Sequence, residues 1–247
     1  MKSLYLGASA ALLSVLACAA PSTAADQLVL NDVHWVAEPA AEKGGAPRVR
    51  IQHKRSSSDQ TLDGLRADFA EAEAALGRNT AGPVDFTIAH EAGTLSCTGT
   101  LIAAFAGEGD CRFAADAGFE RALAARGLMP EKRGDLLAML LVDATIALAD
   151  GLTNEGVKPK DNGDLLGAAA LDITPAYVRD LRSEALALTE VEDVIACKAL
   201  GVDGAYVRGL AEAGYRGLDA DEVVAMKALG VTPQYALAMN RAQGSGQ

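Results

Sequence analysis

Apolar and polar residues alternate along much of the first half of the chain. Alternating stretches occur around Val33 and Trp35, around Val49 and Ile51, and over residues 84–89, 94–102 and 111–113. Alternation places the apolar side chains on one face of a strand, and the glycine-rich and Gly-Pro segments between the stretches are typical of turns. The pattern predicts a small antiparallel sheet within residues 26–128.

Two segments of this half follow a helical pattern instead. One has apolar residues spaced by 3 and 4 positions and predicts an amphipathic helix packed on a face of the sheet. Its residues are Leu62, Leu65, Phe69, Ala72 and Leu76. A second, shorter helix is indicated by Phe119, Leu123 and Leu128, with Gly127 near its C-terminus. The serines at 56–58 are interpreted as a flexible loop.

The second half is helical and contains an internal repeat. Residues 171–178 recur as residues 200–207 and 229–236, each copy 29 positions after the previous one. Tyr177, Tyr206 and Tyr235 fall in register. A helical hairpin cannot bury its apolar stripe alone, so stacked copies are expected to share a continuous core. We predict a repeat domain over residues 129–242, followed by a flexible tail at 243–247.

The helix boundaries in this half follow from capping signals. Thr174 and Thr232 precede Pro175 and Pro233, as an N-cap precedes a proline at the first helical position, and Asp203 is the equivalent cap of the middle copy. Second helices are predicted to begin near Thr189 and Asp219, with Glu192 and Glu222 completing capping boxes. Before the repeats we predict a long helix over 131–150, an exposed loop over 154–162 and a further second helix over 164–170. The predicted fold class is α+β, a small antiparallel β domain followed by an all-α domain of stacked helical hairpins.

The N-terminus has the pattern of an export signal. Lys2 precedes an apolar stretch over residues 4–17, and small residues of the A-x-A type lie near Ala25, so residues 1–25 are predicted to be a signal peptide. The alternative is a lipoprotein anchored through Cys18, since residues 15–18 loosely resemble a lipobox. No later apolar run reaches the ~18 residues that a membrane helix needs. We expect a periplasmic or secreted protein without a transmembrane segment after signal removal.

Export changes the expectation for the cysteines. Cys97 and Cys111 lie on either side of a predicted hairpin, and in an oxidising compartment they are expected to form a disulfide. The alternative is two buried free thiols. Cys197 lies in an apolar helical pattern and is interpreted as a small core residue, because only Lys198 adjoins it as a basic partner.

The Gly-Val-Thr-Pro-x-Tyr unit at 230–235, with the Asp-x-x-x-Val-x-x-x-Lys-Ala-Leu-Gly-Val helix at 219–231, resembles a known repeat type. Similar helical repeats occur in poorly characterised exported bacterial proteins, some of them in the extracytoplasmic parts of BlaR-type receptor peptidases. The β segment over 85–113 is similar to the region that precedes such repeats. The resemblance covers residues 84–240 and implies an architecture. No His-Glu-x-x-His motif is present, so the peptidase activity is not carried over to any residue.

Candidate chemistry is sparse. The 247 residues carry a net charge of −11, which argues against nucleic acid as a partner. The histidines are scattered at His34, His53 and His90, and no catalytic, cofactor-binding or metal site is predicted. A basic cluster near one strand end could meet an acidic partner or a membrane surface, although a solvated edge strand is the favoured interpretation. Its members are Arg48, Arg50, His53, Lys54 and Arg55.

The pattern favours a non-catalytic interaction or scaffold protein of the bacterial envelope, with another envelope protein as its partner and no cofactor. Tyr177, Tyr206 and Tyr235 form the possible interaction surface if they point outward, but their spacing to leucines one turn later favours core packing. The alternative function is an envelope hydrolase or a regulator of a receptor-type peptidase, with a site between the sheet and the repeats.

Overall fold

A computed structural model describes residues 27–244, and the predicted signal peptide and Cys18 lie outside this range. The first part of the described chain forms an antiparallel sheet of six strands, in the order β3-β2-β1-β6-β5-β4. The strands are β1 Val29–Glu38, β2 Arg48–His53, β3 Ser56–Thr61, β4 Gly82–His90, β5 Gly93–Ala103 and β6 Ala106–Ala115. The sheet is followed by a run of helices, which confirms the predicted α+β class.

One face of the sheet carries the core of this part of the molecule. Trp35 is fully buried in β1, and its indole Nε1 donates a hydrogen bond to the Thr98 carbonyl, 3.1 Å away. The indole lies against Gly99 and Gly109, where an added Cβ would come within 2.5 Å and 2.7 Å of it. The two glycines thus leave the space for the largest side chain of the core.

Two predictions for the β half are wrong in detail. Residues 56–58 belong to strand β3, which pairs with β2 along its whole length, so they are not a flexible loop. The amphipathic segment is shorter than its apolar spacing suggested: a 3-10 turn at Ala67–Phe69 leads into α1 at Ala70–Leu76. Leu62 and Leu65 both lie before the turn, and Leu65 is 84% exposed.

The helices after the sheet follow one another at short intervals. They are α2 Ala117–Arg126, α3 Asp135–Leu141, α4 Ile146–Asn154, α5 Asn162–Ala170, α6 Pro175–Ser183, α7 Val191–Ala199, α8 Gly204–Glu212, α9 Ala220–Ala228 and α10 Pro233–Gly244. The second helix of the 29-residue unit at α7 begins one residue later than predicted. Its N-cap is Glu190, paired in a capping box with Asp193, whereas Thr189 and Glu192 were expected. The box at Asp219 and Glu222 is as predicted.

The predicted long helix over 131–150 is interrupted. It consists of α3 and α4, bent by 80° at a break between them. Asp143 takes a left-handed conformation with φ 61°, and Thr145 caps α4. Groups from the sheet half satisfy the freed backbone, since Arg66 donates to the Leu141 carbonyl and the Glu91 carboxylate accepts from the Ile146 amide. Within residues 27–244 no single helix is long and apolar enough to span a membrane. The bent α3–α4 pair, taken together, reaches the length and apolar composition of such a helix, and nothing else in this range supports a membrane span.

The 29-residue spacing of the backbone extends further toward the N-terminus than the repeated sequence motif does. Side-chain N-caps occur at residues 116, 145, 174, 203 and 232, each bonded to the amide three residues on. Left-handed residues recur with the same spacing at 127, 156, 185 and 214, and at 143, 172, 201 and 230. The backbone repeat therefore begins at Asp116, at the end of β6, so that α2 and α3 form a first unit packed on the sheet. The core of the sheet continues into the repeats as far as Leu165 and Ala169.

Candidate functional site

The two cysteines of the predicted pair face one another across neighbouring strands. Cys97 in β5 is directly opposite Cys111 in β6, and they form a disulfide on the buried face of the sheet. Cys197 is a buried free cysteine in α7. Burial, with a smaller contribution from Asp193, raises the pKa of its thiol to about 11, so it carries little of the thiolate form that a nucleophile needs.

Each histidine has its own aspartate. His34 Nδ1 contacts Asp110 across β1 and β6, and His90 Nε2 contacts Asp143 near the break between α3 and α4. Nε2 of His53 is buried and makes no hydrogen bond, although Oδ1 of Asp32 lies 3.2 Å away. Among the residues that the structure describes, no three potential ligands come together in a way that could hold a metal ion.

Two of the three repeat tyrosines join successive parts of the stack. The hydroxyl of Tyr177 donates to the Val202 carbonyl, and that of Tyr206 donates to the Val231 carbonyl, so both bonds reach 25 residues ahead. Lys198 and Lys227 lie over the two rings, 4.9 Å and 4.3 Å from the centroids. Burial raises the pKa of both hydroxyls.

Tyr235 differs from its two equivalents. It is 57% exposed, whereas Tyr206 is 7% exposed. Leu229, which caps the end of α9, is 82% exposed, while Leu200 at the same register is 40% exposed. Met239 on α10 is also exposed. We call the three exposed apolar residues of the last described unit, Leu229, Tyr235 and Met239, the open end of the repeat stack, because no described unit follows them as α9 and Val231 follow Tyr206.

Ion pairs connect successive first helices along one edge of the stack. Glu155 pairs with Arg179, and the same rung recurs 29 residues on as Glu184 with Arg208. The rung before them is Arg126 with Asp150, in which the two signs are exchanged. All three contacts thus have an ion pair at this position, but in the first of them the acidic and basic residues have exchanged places.

A cavity of about 410 Å³ lies between the β2–β3 hairpin and α3. Its apolar wall includes Ile51, Leu137 and Leu141. Lys54 and Lys132 are exposed at its edge and take part in no ion pair within residues 27–244. This volume is within the range of small-molecule sites.

The predicted basic cluster is divided by the fold. Arg50 is neutralised by Asp59, with Nε and Oδ1 2.8 Å apart, and its guanidinium also contacts Glu38. His53 and Lys54, by contrast, line the cavity beside α3. Sequence reasoning did not find this cavity, because Lys132 and the apolar residues of α3 are distant from the cluster in the chain.

No protein-family model matches this chain, and neither the curated proteins nor the solved structures gave a significant match. The resemblance to exported repeat proteins therefore stays an expectation drawn from the motifs.

Proposed function

We propose that this protein is an exported, non-catalytic interaction protein of the bacterial envelope, which binds another envelope protein at the open end of its repeat stack. Export is supported by the N-terminal signal pattern, and the Cys97–Cys111 disulfide is compatible with an oxidising compartment. The repeat supplies a rigid support, since each unit is held by its neighbours.

The exposure of Leu229 and Tyr235 is the observation that carries this proposal. Terminal units of helical repeat proteins usually present a polar outer face, because the apolar face that the next unit would cover is otherwise left in water. Here the last described unit keeps an apolar leucine at 82% exposure and a tyrosine at 57% exposure. Exposed apolar residues at the end of a helical stack are a feature that a protein partner can cover.

The position of the tyrosines refines the predicted interaction surface. Tyr177 and Tyr206 are engaged by the stack through their hydroxyls and the lysines above their rings. Of the three predicted surface residues, Tyr235 is therefore the one assigned to contact a partner, together with Leu229 and Met239.

Site-specific photo-crosslinking in the cell envelope of the source bacterium tests this proposal. A photoreactive residue replaces Leu229 in one full-length variant and Leu65 in the control, because Leu65 is similarly exposed at 84% but lies in the sheet half. We expect a discrete adduct with another protein from position 229 that is absent from position 65. A Tyr235→Glu substitution should remove that adduct.

Two results would contradict the proposal. One is the same set of adducts from positions 229 and 65, which would mean that Leu229 meets proteins only by random collision. The other is an adduct at position 229 that contains only a second copy of this chain, because the partner would then be the protein itself.

A further inference from the structure

The cavity beside α3 combines an apolar interior with a cationic edge. Ile51 from β2 and Leu137 and Leu141 from α3 are buried residues that contribute its apolar wall. Lys54, in the β2–β3 turn, and Lys132, just before α3, stand at the edge. The two lysines come from segments far apart in the chain, so the fold itself brings them to one opening.

The charge at this edge differs from that of the whole protein. The chain has a net charge of −11, with 33 acidic and 22 basic residues. Of the other charged residues that line the cavity, Arg133 forms an ion pair with Glu120 at 2.8 Å, and Asp135 contributes a carboxylate. Lys54 and Lys132 have no ion-pair partner in the described chain, so their ammonium groups are available to an anion.

The turn does not need a lysine for its own geometry. Lys54 adopts φ 55°, a left-handed conformation that glycine or asparagine adopts at lower cost. The adjoining His53 also lines the cavity, and its buried Nε2 lies 3.2 Å from Oδ1 of Asp32 without forming a hydrogen bond. An apolar cavity with a few polar groups at its edge is typical of a small-molecule site.

We propose that this cavity binds an anionic amphiphile, a molecule with one apolar chain and one carboxylate or phosphate group. The apolar chain lies against Ile51, Leu137 and Leu141, where its removal from water supplies the main free energy of binding. The anionic group lies between Lys54 and Lys132, and the charge pairing sets the preference for anions. This site is separate from the open end of the repeat stack, and it does not depend on the proposed function.

Calorimetric titration of the full-length mature protein tests the proposal with four ten-carbon probes, all below their micelle-forming concentrations. Decanoate and decyl phosphate carry the two candidate anions, decanol is the neutral control and decyltrimethylammonium is the cationic control. We expect at least one anion to bind tenfold or more tightly than decanol, and the cation to bind more weakly still. The better of the two anions identifies whether the natural source is a fatty acid or a phosphate headgroup.

Charge-reversal variants locate the site. Lys54→Glu and Lys132→Glu should each weaken binding of the preferred anion by tenfold or more, while decanol binding stays within twofold of the wild type. Lys43→Glu is the matched control, because it makes the same charge change at an exposed position in the loop at the other end of β2. It should leave all four affinities unchanged.

The proposal is overturned if decanol or the cation binds as tightly as both anions, if none of the probes binds, or if Lys43→Glu weakens anion binding as much as the cavity variants. The last result would mean that net charge, and not this cavity, governs the affinity. All three substituted lysines are exposed, so the variants are expected to fold, and their unfolding midpoints check this directly.

Discussion

The carboxylate of Asp180 in α6 accepts a hydrogen bond from the backbone amide of Gly204, the first residue of α8, at 2.9 Å. The equivalent positions 29 residues away on either side hold a different pair. Gly151 faces Pro175, and Gly209 faces Pro233, with no room for a side chain between them. Proline has no backbone N–H to donate, so a carboxylate acceptor has no use there, and glycine at that position makes space for the ring. The α4–α6, α6–α8 and α8–α10 contacts thus each use one of two matched pairs.

This pairing predicts opposite effects for two glycine substitutions. Gly209→Ala should destabilise the protein by about 1–3 kcal/mol, because the new Cβ would lie 2.8 Å from the rigid ring of Pro233. Gly167→Ala should be neutral or stabilising, since the atom it meets is the flexible end of Ile195 and alanine favours a helix. Urea unfolding of both variants measures the difference. Equal destabilisation would show that the proline contact is not specific.

The reversed order of charges in the Arg126–Asp150 pair predicts that the acidic and basic residues of this ion pair can be exchanged. Arg126→Glu should lower the unfolding midpoint, because it places a carboxylate beside Asp150, whose pKa is held below its usual range by the hydrogen bond from Arg126. Adding Asp150→Arg should restore much of the loss, since the doubly substituted rung has the same direction as Glu155 with Arg179. A double-mutant cycle by chemical denaturation measures the coupling. No recovery in the double variant would mean that the pair contributes by geometry other than charge.

A buried core residue of the central repeat and a capping residue of the last repeat should differ in how much their loss costs. Leu210 is fully buried in α8, so Leu210→Ala should cost on the order of 2–5 kcal/mol. Thr232→Ala removes only the hydroxyl that accepts from the Tyr235 amide, which should cost on the order of 1 kcal/mol. Chemical denaturation of the full chain gives the order. If both changes were equally mild, the stacked core around Leu210 would be wrong.

The Cys97–Cys111 disulfide predicts which peptides are linked in mass spectrometry and how much stability is lost when it is removed. Non-reducing peptide mapping of mature protein should join Cys97 to Cys111 and leave Cys197 free. Replacing both strand cysteines by alanine, which adds no buried hydroxyl, should cost roughly 3 kcal/mol, as expected in the chain-entropy model for a loop of about 15 residues. Free thiols at 97 and 111 in freshly isolated envelope material would contradict the export prediction as well.

Asp164 should make the stability depend on pH. Burial is the main cause that raises its pKa, Glu192 and Asp161 add to it, and the amide of Lys160 opposes it by donating to the carboxylate. The folded state therefore binds the proton more tightly than the unfolded chain, and this stabilisation is lost as pH rises from acid through the raised pKa. Asp164→Asn should be more stable than the wild type at pH 7, with the advantage shrinking toward pH 3. A constant difference across this range would exclude the ionisation as its cause.

Sequence patterns revealed most of the fold, and the two principal errors have physical reasons. Strand β3 has six polar residues, since it is an edge strand, so no alternation of apolar residues marks it. The break after Leu141 lacks glycine and proline, but it had a signal: Asp143 and Thr145 stand 29 residues before Asp172 and Thr174. Carrying the repeat one unit further back would have predicted it.

The sites were less predictable than the fold. The periodicity placed Tyr177, Tyr206 and Tyr235 at equivalent positions. The exposure of each ring, however, depends on how the next unit packs against it, and the pattern of a single unit carries no information about that packing. The cavity joins Lys54 to Lys132 across segments separated by much of the sheet. Contacts of this kind are set by tertiary packing.

The place of β1 within the sheet determines when the sheet can form. Its N-terminal residue Val29 pairs with Ala114 in β6, whereas each tyrosine bond in the repeats spans only 25 residues. Contacts that close long loops form slowly, and local ones form quickly. The first strand of the chain therefore keeps one edge unpaired until the last strand is available to pair with it. During that interval the unpaired edge is open to capture by another chain, so the early folding of this protein depends on how long β1 is kept apart from other unfolded strands.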